Sequence, residues 1–133
     1  MAPKNESFSI AGPDDVVRVR QVVRAWASEL KFNLVDQTKL VTATSELARN
    51  TLQHGGGGLM KATVVENGTR KGIRLTFEDE GPGIQNIDLA MRDGFTTGNG
   101  MGLGLSGSKR LVNEFEIKSE VGHGTTVTIT RWK

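Results

Sequence analysis

The chain contains no cysteine, which excludes a disulfide scaffold and any thiolate metal site. No apolar run approaches the roughly 20 residues that span a bilayer, and the opening MAPKNESFSI lacks the apolar core of a signal peptide. A cytoplasmic location with no membrane partner is therefore expected. Blocks of like charge are missing too. The 17 basic and 15 acidic residues are interspersed and leave a net charge of +2, so no nucleic-acid partner is expected. Repeats, linkers and low-complexity segments are also absent. With 133 residues, 36% of them hydrophobic, the chain is long enough for one domain with a single core and too short for two, so residues 1–133 are read as one unit. What is plentiful is glycine, 17 of 133 against a usual share of about 7%. It is clustered at 55–58, 81–83 and 98–107, a placement that marks loops with a task.

Hydrophobic spacing predicts alternating elements. ESFSI alternates as a short strand, and AGPDD opens a helix with Pro13 in its first turn. Val16, Val19, Val23, Trp26, Ala27 and Leu30 then recur at helical spacing until about Phe32. Asp36 is the expected N-cap of a second helix over 37–53, which the glycines at 55–58 terminate. LMKATVVE and GIRLTFED read as strands joined across Asn67-Gly68. A short helix over 86–92 and a third main helix over 104–114 follow, and FEIKSEV and TTVTITRW pair around GHG. The fold class this predicts is α/β, a two-layer sandwich with a mixed, mostly antiparallel sheet and helices on one face.

Three patches exceed what such a scaffold needs. In IRLTFED the two-residue period puts Asp79 on the core side with Ile73, Leu75 and Phe77, and an ionised carboxylate there needs a partner. Taken alone, it also reads as a strand-end residue turned to solvent. Gly81 and Gly83 follow at once and let the backbone approach a ligand; a carboxylate accepting from an exocyclic amine beside such glycines makes a sensible adenine pocket. In SELARNTLQHGG, Glu46 and Asn50 share a helical face, with His54 one turn further on. A carboxylate can take a proton from a hydroxyl or water, and an amide oxygen suits Mg²⁺; the alternative is an ordinary solvated face.

The third patch is GNGMGLGLSGSKRLV. Gly102, Gly104 and Gly107 spell the dinucleotide pattern, but DGFTTGNG ahead of them has no strand character. The P-loop reading fails because the lysine of GLGLSGSK comes one place late. What remains is a glycine-rich lid feeding a helix N-terminus, where backbone N–H groups and the helix dipole favour an anion, or else a flexible surface loop.

Together and in this order, the patches resemble the GHKL ATPase/kinase superfamily with its Bergerat ATP-binding fold. SELARNTLQHGG is similar to the N box, EDEGPGI to the first glycine box, GNGMGLGLSGSKRLV to the second glycine box and lid, and GHGTTVTI to the closing strand motif. Within the superfamily, SELARN, DGFTT and KRLVNEF look most like the RsbT-type switch kinases of bacterial stress signalling, relatives of the anti-sigma factor kinases. The resemblance implies ATP and Mg²⁺ as cofactors, Glu46 as general base, Asn50 as the Mg²⁺ holder and Asp79 as acceptor from the adenine amine. It further implies that Gly83 lines the adenine pocket, that Gly100, Met101, Gly102, Leu103, Gly104 and Leu105 cover the phosphates, and that Thr125 supports Asp79 or a water beside it. Lys109 and Arg110 are open between phosphate contact and solvated surface. The implied activity is transfer of phosphate to serine or threonine of STAS-domain antagonists, together with binding and activation of a PP2C-type phosphatase. The alternatives are an anti-sigma factor that binds a sigma factor and phosphorylates its antagonist, or a nucleotide-gated binding module with little catalysis. SELARN by itself does not separate ATPase from kinase. A histidine kinase is rejected because His54 and His123 both lie beside glycines of the nucleotide region.

Overall fold

The computed structural model describes residues 4–84, 87, 91 and 104–133. Along the chain run β1 (Asn5–Ile10), α1 (Pro13–Glu29), α2 (Leu34–Gln53), β2 (Gly58–Asn67), β3 (Arg70–Asp79), α3 (Gly104–Arg110), β4 (Glu114–Glu120) and β5 (Gly124–Trp132). The strands form one sheet in the order β1-β2-β3-β5-β4. All four pairings are antiparallel, which fulfils the expectation of a mostly antiparallel sheet and leaves no parallel pair among the described residues.

The two-residue period of the strands builds the core. Met60, Ala62, Ile73, Leu75, Phe77, Val127 and Ile129 are buried and join Val19, Val23, Trp26, Leu40, Ala43 and Leu47 of α1 and α2 in one apolar cluster. The opposite face of the sheet is polar: Thr76 and Thr128 bring their hydroxyls to 3.4 Å, and Lys61 pairs with Glu78. Helices therefore cover one face, as the binary pattern requires.

α1 starts at Pro13, whose missing N–H costs nothing in a first turn, with Asp14 and Asp15 set against the positive helix end. It ends at Glu29, three residues before the expected Phe32. Lys31 takes a left-handed φ of 65°, and Phe32 turns back to donate its N–H to Ala27 O at 2.9 Å, which buries its ring.

The N-cap of α2 is Asn33, not Asp36. The Asn33 carboxamide oxygen accepts the Asp36 N–H at 2.8 Å, so the helix begins three residues earlier than the sequence suggests. Asp36 is spent elsewhere: its carboxylate pairs with Arg131 of β5, whose guanidinium also donates to Leu111 O at 3.1 Å. These side chains are only 14% and 23% exposed for Arg131 and Asp36, so the pair ties the start of α2 to the sheet and to the segment after α3. Asp36→Ala is expected to destabilise the fold by about 1.5–3 kcal/mol, the range for a hydrogen bond to a charged group. The urea midpoint should fall at unchanged slope; an unmoved midpoint would mean the pair contributes nothing.

Two further boundaries differ. The β2–β3 turn places Gly68 and Thr69 between the paired Asn67 and Arg70, one position later than Asn67-Gly68. α3 stops at Arg110 rather than 114, because the Asn113 N–H is taken by Thr130 O at 3.0 Å as the chain joins the sheet. Of the helix expected over 86–92, only Ile87 and Met91 are described, with the Met91 N–H donating to Ile87 O at 2.9 Å. No helix among the described residues is long and apolar enough to cross a membrane.

Candidate functional site

One row of residues crosses all five strands at the end of the sheet where α2 finishes: Ile10 opposite Gly58, Gly58 opposite Asp79, Asp79 opposite Thr125, and Thr125 opposite Ser119. Asp79 is thus the last inward-facing side chain of β3, after Ile73, Leu75 and Phe77. It is held in place rather than turned to solvent. Its Oδ1 accepts the Gly81 N–H at 2.9 Å and the Thr125 N–H at 3.3 Å. Oδ2 has no protein partner among the described residues, so one oxygen anchors the carboxylate and the other is not engaged by them.

Gly55, just past the end of α2, closes on this carboxylate. A Cβ on Gly55 would lie 2.3 Å from Asp79 Cγ and 2.6 Å from Oδ2, and one on Gly81 would lie 2.6 Å from Gly55 Cα. Only glycine lets the helix end approach so closely, and the sequence reading gave Gly55 no role beyond stopping the helix. Gly83 has a second reason to be glycine: its φ is +78°, and a Cβ would meet Glu120 O at 2.4 Å. The loop after Asp79 therefore rests directly on the β4–β5 turn.

The last turns of α2 supply the other groups. Thr44, Ser45 and Thr51 donate their hydroxyls to carbonyl oxygens four residues back, at 2.8, 3.0 and 2.9 Å, and so commit their one proton within the helix. Glu46 is different. It is buried at 9% exposure, and its Oε1 accepts from Arg49 Nη1 at 3.0 Å, while Oε2 has no partner among the described residues. One turn later, the Asn50 carbonyl accepts the N–H groups of His54 at 3.0 Å and Gly55 at 3.2 Å, while its side-chain amide makes no hydrogen bond among the described residues. Glu46, Asn50 and Asp79 are thereby gathered where α2 meets the end of β3. Arg49, unassigned from sequence, is the partner that makes a buried Glu46 tolerable.

Thr125 reaches Asp79 through its backbone N–H, while its hydroxyl sits 2.9 Å from Ser119 Oγ. Ser119 also accepts the Ile84 N–H at 2.7 Å and donates to Gly124 O at 3.0 Å. No role was expected for Ser119, yet a signal existed: it follows Phe115 and Ile117 at the inward period of β4. Gly104 opens α3, and Leu105 packs its side chain into the core at 9% exposure, so only the backbone of Leu105 is positioned to meet a ligand. Gly100, Met101, Gly102 and Leu103 lie outside the described residues. Lys109 and Arg110 form the exposed last turn of α3, away from its N-terminus. Among the described residues no cluster of three His, Cys, Asp or Glu could hold a metal.

Chemically, the arrangement offers a carboxylate oxygen against Gly55 and a side-chain amide, both without a partner among the described residues, and a second, buried carboxylate. A family model described as histidine kinase-, DNA gyrase B-, and HSP90-like ATPase matches residues 35–133, which contain all of these groups. The chain is 44% identical over 118 residues to the serine/threonine-protein kinase RsbT of Bacillus subtilis, covering 89% of each chain. It is 32% identical over 136 residues to an anti-sigma F factor of Geobacillus thermodenitrificans, covering 96% of this chain and 84% of that one. Among solved structures, that of the RsbU and RsbW domains of a Mycobacterium tuberculosis protein superposes with a TM-score of 0.67 at 22% identity. That likeness covers 100% of this chain and 33% of the larger one, and it concerns the fold.

Proposed function

Because the chain belongs to the histidine kinase-, DNA gyrase B-, and HSP90-like ATPase family, we propose that it is an ATP-dependent protein serine/threonine kinase acting as a partner switch. Its acceptors would be STAS-domain antagonists and its second partner a PP2C-type phosphatase. The observation that carries this reading is the closure of Gly55 on Asp79, which brings the Glu46–Asn50 face of α2 to a carboxylate with one oxygen unpaired among the described residues. The identity to a serine/threonine kinase over 89% of the chain supports the choice of acceptor.

In this reading Asp79 Oδ2 accepts from the exocyclic amine of adenine, while Gly55, Gly81 and Gly83 keep the surrounding walls free of side chains. The Asn50 amide oxygen suits Mg²⁺, a hard cation that takes few protein oxygens and leaves its remaining positions to phosphates and water; when bound, it neutralises charge on the phosphates. Glu46 removes the proton from the attacking hydroxyl, and Arg49 fixes the direction of its carboxylate. Backbone N–H groups at the start of α3 cover the phosphates, together with the motif residues 100–103, which lie outside the described residues, as positioning and charge stabilisation are the protein's main task in phosphoryl transfer.

The test is incubation with γ-labelled ATP, Mg²⁺ and a STAS-domain partner. Label on a serine or threonine of the partner is expected; tight binding of the partner without any transfer would reduce the protein to a nucleotide-gated binding module. The likeness to anti-sigma F factors favours a second reading, in which the same site controls the occupation of a sigma factor. Retention of a sigma factor in a pull-down, dependent on nucleotide, would move the protein to that branch.

A further inference from the structure

Between α1 and α2 the chain turns through a left-handed residue that is not glycine. Lys31 has a φ of 65°; its N–H donates to Ser28 O at 3.0 Å and that of Phe32 to Ala27 O at 2.9 Å, the paired bonds that close a helix around a residue that is usually glycine. A Cβ is disfavoured in that conformation, so a lysine held there points to a use for its side chain. Lys31 is exposed. Three residues on, Leu34 and Val35 open α2 at 71% and 62% exposure. Exposed aliphatic residues standing singly need no explanation, but these two are adjacent and rigidly mounted: the Asn33 cap accepts the Asp36 N–H at 2.8 Å, and Gln37 Nε2 donates to Phe32 O at 2.9 Å. Four charged side chains flank the pair. Glu29 is paired with Lys4 and Asp36 with Arg131, which takes up both acids. Lys31 and the exposed Lys39, one helical turn beyond Val35 on the same face, are in no ion pair among the described residues. On the outer face of the sheet, by contrast, Lys61 pairs with Glu78, Arg74 with Glu114 and Lys118 with Glu116.

We propose that the α1–α2 turn is a docking surface for an acidic protein segment with an aliphatic centre, which lays its apolar side chains on Leu34 and Val35 and its carboxylates against Lys31 and Lys39. Charge complementarity selects the occupant. A second copy of the chain does not suit the surface, because two such turns face to face would set lysine against lysine. The fixed backbone beneath means that little ordering is lost on binding. Val35 and Asn50 lie on one helix, about 22 Å apart by the rise of an α-helix, so the turn stands at the end of α2 remote from Asn50 and Asp79. It therefore serves a partner that is held rather than phosphorylated. The inference rests on the partner-switch reading and goes beyond it by stating where the second partner, the PP2C-type phosphatase, is held.

The test is calorimetric titration of a PP2C-type phosphatase with the wild-type chain, Leu34→Asp and Lys31→Gly, beside phosphate transfer to a STAS-domain acceptor. An aspartate suits the first turn of a helix, so Leu34→Asp should fold, while its charge meets the partner's carboxylates. Its Kd for the phosphatase should rise about thirtyfold, the loss of a central interface residue. Lys31→Gly relieves the left-handed backbone, so its thermal midpoint should hold or rise while the phosphatase Kd rises about fivefold and the affinity becomes less sensitive to salt. A lysine with a purely structural role would move the midpoint alone. Transfer to the acceptor should be unchanged in both variants. Unchanged phosphatase affinity in either variant overturns the proposal. Loss of transfer with phosphatase binding intact overturns it too, since the turn would then seat the phosphate acceptor, as does a change in the chain's own oligomeric state in Leu34→Asp with phosphatase binding intact. A wild-type chain that binds no phosphatase would instead overturn the partner-switch reading itself, and this surface with it.

Discussion

Asp79→Asn should weaken ATP binding about a hundredfold while leaving the fold intact. The two halves of the Asp79 carboxylate have separate duties. Oδ1 is committed to the Gly81 and Thr125 N–H groups at 2.9 and 3.3 Å, and the carbonyl oxygen of an asparagine can serve both. The substituted NH₂ must then occupy the place of Oδ2, where it meets the adenine amine donor to donor. Flipping the amide only moves the conflict onto the two backbone N–H groups. Loss of a charge-assisted hydrogen bond plus this clash amounts to about 2–3 kcal/mol, which corresponds to the stated change in Kd. Calorimetry measures it directly, with the thermal midpoint as control. Unchanged affinity would place the adenine amine somewhere other than Asp79.

Glu46→Ala should have the opposite profile, with ATP affinity within about threefold of wild type and phosphate transfer to the partner reduced by about 10²–10⁴, the usual worth of a positioned general base. Burial at 9% exposure and the 3.0 Å bond from Arg49 hold this carboxylate in one direction, as a base needs and a solvated surface residue does not. Glu46→Gln keeps an oxygen for Arg49 and isolates the missing proton acceptor, so it should lose transfer to the same extent. Single-turnover transfer from labelled ATP separates binding from chemistry. A rate within tenfold of wild type in either variant would remove Glu46 from the reaction.

The sequence made much of this visible, for reasons that differ from residue to residue. Asp79 was legible because a strict alternation through Ile73, Leu75 and Phe77 carries it to the inner face, and the Glu46–Asn50 face was legible from the helical period. Both periods are local properties. Asn33 and Asp36 are both good caps, and the choice between them depends on Arg131, 95 residues away. Gly55 looked like a helix stop because nothing local to it announces that Asp79 will lie against it. The early end of α3 likewise comes from Thr130 capturing Asn113 across the fold. Ser119 could have been found, as a polar residue at an inward period position of FEIKSE, but its three partners come from Ile84, Gly124 and Thr125, which only the sheet assembles. Gly100, Met101, Gly102 and Leu103, expected as a lid from the motif, lie outside the described residues.

A crystal structure with Mg²⁺ and a non-hydrolysable ATP analogue tests the central claim most directly, that a purine nucleotide is held between Asp79 and the Asn50 end of α2. The expected result is an adenine amine within hydrogen-bond distance of Asp79 Oδ2 and a cation on the Asn50 amide oxygen. A nucleotide seated elsewhere on the surface, or no nucleotide at Asp79 at saturating analogue, would contradict it.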